Sequence, residues 1–241
     1  MLHPVEISRE KTQWFIKRLS MNEHEEQLLA HLLTGGDDSA ANELLKSFYK
    51  GYPVERLRPL LQSDNESAVM AGAWIASELA ERSAPLMNEL FRLLNHPLGY
   101  VRFFILDAVL CSTTNEHGEV VARAVMLIRD PDKTVRWKAL GFLARATKDQ
   151  LSSALAYLDN QGVSTLLAWL LRNGITQTDM QEIITRLIDP DSLTRMFAVA
   201  AAARHGPHNS VPLEHAANST DSEVSSFAKD ELELLKGVVD P

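Results

Sequence analysis

Short turn-like segments recur along the 241-residue chain at near-constant spacing. Such a recurrence constrains a fold more than any single motif does. Four segments superpose directly: Asp64-Asn65-Glu66-Ser67-Ala68-Val69, Asn95-His96-Pro97-Leu98-Gly99-Tyr100-Val101, Asp130-Pro131-Asp132-Lys133-Thr134-Val135 and Asp189-Pro190-Asp191-Ser192-Leu193-Thr194. Ser219-Thr220-Asp221-Ser222-Glu223-Val224 is a weaker fifth copy. With the last residue of each as anchor, positions 69, 101, 135, 194 and 224 are separated by 32, 34, 59 and 30 residues. The gap of 59 is nearly double the others and predicts a hidden copy near Val163, after Asp159-Asn160-Gln161-Gly162.

Each copy reads as helix, turn, helix. Before the turns stand the runs Val54 to Leu61, Pro85 to Leu94, Val120 to Ile128, Met180 to Ile188 and Val211 to Ala217. In the third, Val120, Val121, Ala124, Val125 and Ile128 form one helical stripe. Asp130-Pro131 and Asp189-Pro190 fit an N-cap followed by proline at the first helical position. Four residues past the anchors lie Ala73, Ile105, Ala139, Ala198 and Ala228, one turn on and so on the same face. Leucine and alanine make up 61 residues, valine and isoleucine only 24. That balance favours helix, where β-branched side chains lose more freedom. A two-helix unit cannot bury its apolar face alone, so the units must stack.

The Asp-Pro-Asp turn followed by Val135-Arg136 and Ala139-Leu140, repeated as Thr194-Arg195 and Ala198, resembles HEAT repeats over residues 53–237. The resemblance implies an all-α fold, a right-handed α–α superhelix (HEAT-like solenoid) of stacked two-helix repeats. We expect residues 1–52, with helical segments near 6–19, 23–33 and 38–49, to form an N-terminal helical capping layer. Residues 53–241 would form the repeat solenoid, continuous with it as one structural domain.

Arg102, Arg136 and Arg195 each follow an anchor, so stacking aligns them. They read as a structural ladder to turn aspartates such as Asp130 and Asp189, or as an anion track along the groove. Two positions past the anchors stand Ala71, Phe103, Trp137, Met196 and Ser226, about 200° around the helix from the buried face. Phe103, Trp137 and Met196, with Asp107 and Lys138, are the candidate partner-binding residues; the alternative is that they pack on the next unit. His205, His208 and His215 read as a solvated loop rather than a metal site, and Cys111 as a small buried hydrophobe. Asp230-Glu231-Leu232-Glu233 reads as a solvated helix face, or as a contact for a basic partner.

The chain carries 24 Lys and Arg against 32 Asp and Glu, a net charge of −8. Residues 97–150 have eight basic and six acidic residues, the one net-basic stretch. Nucleic-acid binding is therefore disfavoured and a basic protein partner favoured. A single cysteine excludes a disulfide framework. No apolar run reaches 18 residues and no secretory leader is evident, so we expect a cytoplasmic protein. Gly-x-Ser-x-Gly, Walker, dinucleotide and His-Glu-x-x-His motifs are all missing, and no catalytic residue, metal or cofactor is assigned. We expect a protein-binding module that uses its concave face. The run Gly72 to Leu79 followed by Val101-Arg102-Phe103-Phe104 is similar to bacterial HEAT-like proteins found beside polymorphic toxins, which implies an immunity protein neutralising a basic toxin. The alternatives are a HEAT-like DNA glycosylase using Trp137 and Asp107, or a lyase-like or scaffold HEAT protein.

Overall fold

A computed structural model describes residues 23–172 and 176–239, all helix and connecting turn with no strand among them. The predicted segment near 6–19 lies outside the described residues. The helices are α1 (23–33), α2 (Asp38–Tyr49), α3 (Arg58–Leu61), α4 (Glu66–Leu79), α5 (Met87–Leu93), α6 (Gly99–Ser112) and α7 (Gly118–Met126). They continue as α8 (Lys133–Arg145), α9 (Lys148–Ala154), α10 (Gln161–Arg172), α11 (Gln177–Leu187), α12 (Ser192–His205), α13 (Val211–Ala217) and α14 (Ser222–Val239). Short 3-10 turns precede α3 and α5 and follow α7 and α9.

Two rows form. The inner row stacks α2, α4, α6, α8, α12 and α14 in that order, and the helices before each turn make the outer row. One continuous core lies between them, from Leu28 to Ala228. The row begins at α2, so residues 38–49 pack on α4 much as a repeat helix does. Val163 is buried on α10, but α10 leans on α9 and α12 while α8 packs directly against α12. The predicted extra copy is therefore a helix that stays outside the inner row.

Helix starts are set by Asx and Thr caps. Asn65 accepts from the Ser67 and Ala68 amides at 2.9 and 3.2 Å, Asp132 from Thr134 at 2.8 Å and Asp191 from Thr194 at 3.0 Å. This corrects the capping expected at Asp130 and Asp189. Those carboxylates instead accept the Asp132 and Asp191 amides at 2.9 and 2.8 Å, closing the turn two residues before the helix. The Asn65 cap also moves the first repeat by one residue. Ala68, not Val69, is equivalent to Val101 and Val135, because each is the third helical residue. Gly72 then takes the place of Ile105 and Ala139. A Cβ there would lie 2.9 Å from the Leu60 Cβ, so the closest approach of α4 to α3 requires glycine.

The three arginines repeat one geometry. Nη1 of Arg102 donates to the His96 and Pro97 carbonyls, that of Arg136 to Asp130 and Pro131, and that of Arg195 to Asp189 and Pro190. The remaining nitrogens reach forward to a later unit. Arg102 grips both oxygens of Asp130 at 2.7 and 2.6 Å, Arg195 grips Asp221 at 3.0 and 2.7 Å, and Arg136 passes over α12 to Glu223. At the opposite ends of the helices, single side chains cap carbonyls of a neighbouring unit, the following one for Tyr49 and the preceding one for Ser112 and Arg204. Tyr49 donates to Glu78, Ser112 to Ala80, and Arg204 to Leu143, Ala144 and Ala146.

Removing one partner of the buried Arg102–Asp130 pair strands the other, whose side chains are 9% and 3% exposed. Arg102→Ala or Asp130→Ala is expected to cost about 3–5 kcal/mol in urea unfolding, and the double variant less than the sum. The caps add an acid dependence. The Thr134 amide and hydroxyl hold the Asp132 carboxyl below its usual value of 3.8, and the Thr194 hydroxyl does the same for Asp191. For Asp221, burial pushes upward but the Arg195 and Val224 hydrogen bonds outweigh it. A carboxyl depressed in the folded state contributes stability that is complete above its unfolded pKa and is lost as pH falls through the folded one. Melting temperature is therefore expected to fall on acidification below about pH 4. Asp132→Asn and Asp191→Asn, which keep the cap without the charge, should lessen that fall.

Candidate partner-binding groove

The inner face of α8 does not stand free. Trp137 donates from Nε1 to Asp230 at 3.1 Å and meets the Phe227 ring edge-on with centroids 6.2 Å apart. Arg145 pairs with Glu231 at 2.6 Å. Together with Arg136–Glu223, these contacts fold α14 back across α12 onto α8. The acidic run 230–233 is thus partly an internal clasp, a correction to the solvated face expected for it.

Closure over α12 explains a second correction. Met196 is 8% exposed, and Phe197 to Ala202 are buried, so this helix is covered on every side. Its sequence is apolar all round, as burial on all faces demands. Met196 packs in the core and offers no surface.

Phe103, Asp107, Trp137 and Lys138 do come together. The Lys138 ammonium lies 2.7 Å from Asp107, 4.3 Å from the Phe103 ring centroid and 5.7 Å from that of Trp137. The cluster joins α6 to α8 by an ion pair flanked by cation–π contacts. Its polar groups are satisfied within the chain.

An open part of the inner face lies further toward the N-terminus. Between α2, α4 and α6 a cleft of about 540 Å³ is lined by Asp37, Asp38, Asn42, Met70, Trp74 and Phe104, with Ser67 and Ala71. Trp74 and Phe104 are half-buried and the two aspartates exposed. Asp37 is fixed as the N-cap of α2, accepting from Ala40 at 3.1 Å. Trp74 and Met70 were not singled out by sequence. The signal that finds them is the Asn65 cap, which places Met70 level with Phe103 and Trp137, and Trp74 level with Asp107.

The remaining candidates separate. His205 closes α12 and is buried, His208 is exposed in the following loop and His215 is exposed on α13, so the solvated-loop reading fails for His205. Burial depresses the proton affinity of the His205 ring. Cys111 is exposed, not buried, because it lies on the same solvent-accessible inner face of α6 as Phe104 and Asp107. Among the described residues no group of three His, Cys, Asp or Glu is placed to hold a metal, and no helix is long and apolar enough to cross a membrane.

No protein-family profile matches the chain, and no curated protein matches it at a significant level. Solved structures with similar architecture include a designed armadillo repeat protein in complex with the peptide (KR)4, 14% identical, covering 96% of this chain and 95% of its own, with a TM-score of 0.42. The archaeal HEAT-like repeats protein from Thermococcus onnurineus NA1 is 14% identical over 91% of this chain and 98% of its own, with a TM-score of 0.43. An engineered protein is 18% identical over 84% of this chain, with a TM-score of 0.41; this chain spans 61% of its length. What the chain itself shows is an all-α array of helix pairs stacked in two rows.

The clasp gives a prediction. Trp137→Ala removes both the ring contact to Phe227 and the hydrogen bond to Asp230. It is expected to destabilise the chain by about 2–4 kcal/mol in thermal unfolding. Asp230→Asn, which retains an acceptor for the indole N–H, should have a much smaller effect.

Proposed function

We propose that the protein is a non-enzymatic scaffold that holds a basic segment of another protein in the cleft on α2, α4 and α6. One observation supports this most directly: half-buried aromatic faces, Trp74 and Phe104, share an open cleft with the exposed carboxylates Asp37 and Asp38. Lysine and arginine present an apolar stem and a cationic head, so aromatic rings and carboxylates side by side complement both parts. The net charge of −8 adds a longer-range attraction that speeds encounter with a basic partner. Neutralisation of a basic toxin is the specific form of this reading that the sequence resemblance favours. The partner's active surface would then be covered by the inner face of the repeats. In the glycosylase reading Asp107 and Trp137 would face DNA, but both are engaged by Lys138 and by α14.

Titration with lysine- and arginine-rich peptides, against acidic peptides of equal length, tests the proposal by tryptophan fluorescence and calorimetry. One basic peptide per chain is expected, bound more weakly as salt shortens the Debye length from about 30 Å at 0.01 M to about 8 Å at 0.15 M. Asp38→Lys, an exposed change, should weaken binding at least about tenfold, with only a small loss of stability from the cation it places in the first turn of α2. Equal binding of acidic and basic peptides, or unchanged affinity in Asp38→Lys, would overturn the reading.

A further inference from the structure

On the other side of α2, facing α1, lies a second cleft of about 580 Å³ lined by His24, Glu25, Glu43, Lys46, Ser47 and Lys50, with Ser39 and Asn42. Its wall contains an unresolved electrostatic cost. Glu25 is only 4% exposed, and its Oε2 is buried with no hydrogen-bond partner. Among the described residues the carboxylate forms no ion pair either, although other charges stand close by. His24 and Glu43 satisfy each other at 3.1 Å, and Arg56 and the Tyr52 hydroxyl both go to Glu26. A buried carboxylate without a donor is destabilising, and a counter-ion in the cleft would relieve it.

From this geometry we infer that the α1–α2 cleft is a binding site for a primary alkylammonium group, with Glu25 as its buried counter-ion. The surrounding side chains decide the class of ligand. Glu25 and Glu43 offer carboxylate oxygens, and the Ser39, Ser47 and Asn42 side chains can accept as well, which suits a head group with three N–H donors. A divalent cation is not matched, because no three ligating residues converge among the described residues. Lys46 and Lys50 at the rim keep the cleft near neutral, so one cation, not several, is accommodated. The same chemistry is presented by a lysine side chain of a partner and by a free diamine. Asn42 lines both this cleft and the one proposed above, so a lysine-bearing segment laid across α2 can reach each. The inference does not depend on the Trp74 cleft being occupied.

Calorimetry and two-dimensional amide NMR with Nα-acetyl-lysine amide, 1,5-diaminopentane and, as the uncharged control, 1-pentanol test it on the intact chain. Both amines are expected to bind with saturable shifts at α1 and α2, and pentanol not to bind. Tighter binding of the lysine amide assigns a protein partner as the source, and tighter binding of the diamine assigns a free amine; either supports the site. Glu25→Gln should reduce amine affinity at least about tenfold while leaving the fold intact. Asp38→Lys, on the far side of α2, should alter basic-peptide binding but not binding of the small amines, which keeps the two readings separable. Absence of amine binding, or full binding by Glu25→Gln, would overturn the inference. So would a large loss of stability in Lys46→Met, because the lysine of the chain itself would then be the counter-ion.

Discussion

An arginine at the fourth position of an inner helix performs two tasks at once. One nitrogen caps two carbonyls of the turn that leads into its own helix, and the others hold a carboxylate on a later turn. The turn is therefore closed and the next unit positioned by one planar group. A guanidinium suits this because its donors are fixed in a fork and its charge is permanent. The carboxylate partners sit at turn positions, Asp130 and Asp221, or one residue inside the helix, Glu223. Hydrophobic stacking supplies most of the driving force along the rows, but it is non-directional. The clamps set register, because a helix that slides by one turn separates the charges.

The Arg136 clamp breaks the pattern, and the packing of the C-terminal half follows from it. Arg136 does not meet Asp189 on the next turn. It reaches Glu223, two inner helices away. That reach is possible because α10 stays out of the row and α8 lies directly on α12. The row then turns sharply enough for Trp137 and Arg145 to meet α14. As a result α12 is enclosed and the inner face there is spent on internal contacts, which leaves the open inner cleft at α2, α4 and α6. Packing in one half of the chain thus decides where a partner has access in the other.

Much of the fold was legible because it rests on local periodicity. The helix pairs, the segments 23–33 and 38–49, and the alignment of Arg102, Arg136 and Arg195 follow from turn chemistry and apolar spacing. What was not legible depends on contacts distant in sequence. Glu223 as the acceptor for Arg136, and Asp230 for Trp137, lie about ninety positions away, and no motif joins them. Met196 occupies a position equivalent to Phe103, and only closure of α14 over α12 buries it. The cap misassignment was of another kind. In Asp-x-Asp turns both aspartates are competent acceptors, and the choice falls to the second because the first is needed to close the turn. Asn65, read with that rule, would have placed Met70 and Trp74 on the inner face from sequence alone.

Charge makes the same distinction between the halves. Residues 176–241 hold 11 acidic and 5 basic residues and carry most of the net negative charge. Yet their carboxylates are largely committed. Asp189 and Asp191 close and cap a turn, Asp221 and Glu223 receive arginines, and Glu231 pairs with Arg145. Where the partner is an arginine, as for Asp221, Glu223 and Glu231, the pair presents little field to a distant cation, because the guanidinium cancels the charge beyond a few ångströms. At the other end Asp38 has no side-chain partner among the described residues and Glu25 is buried without one. Around α2 the formal charge is smaller, but Asp38 and Glu25 have no cationic partner among the described residues. Net charge read along the sequence points to the C-terminal third alone; with the pairs assigned, Asp221, Glu223 and Glu231 leave that count, while Asp38 and Glu25 stay in the N-terminal one.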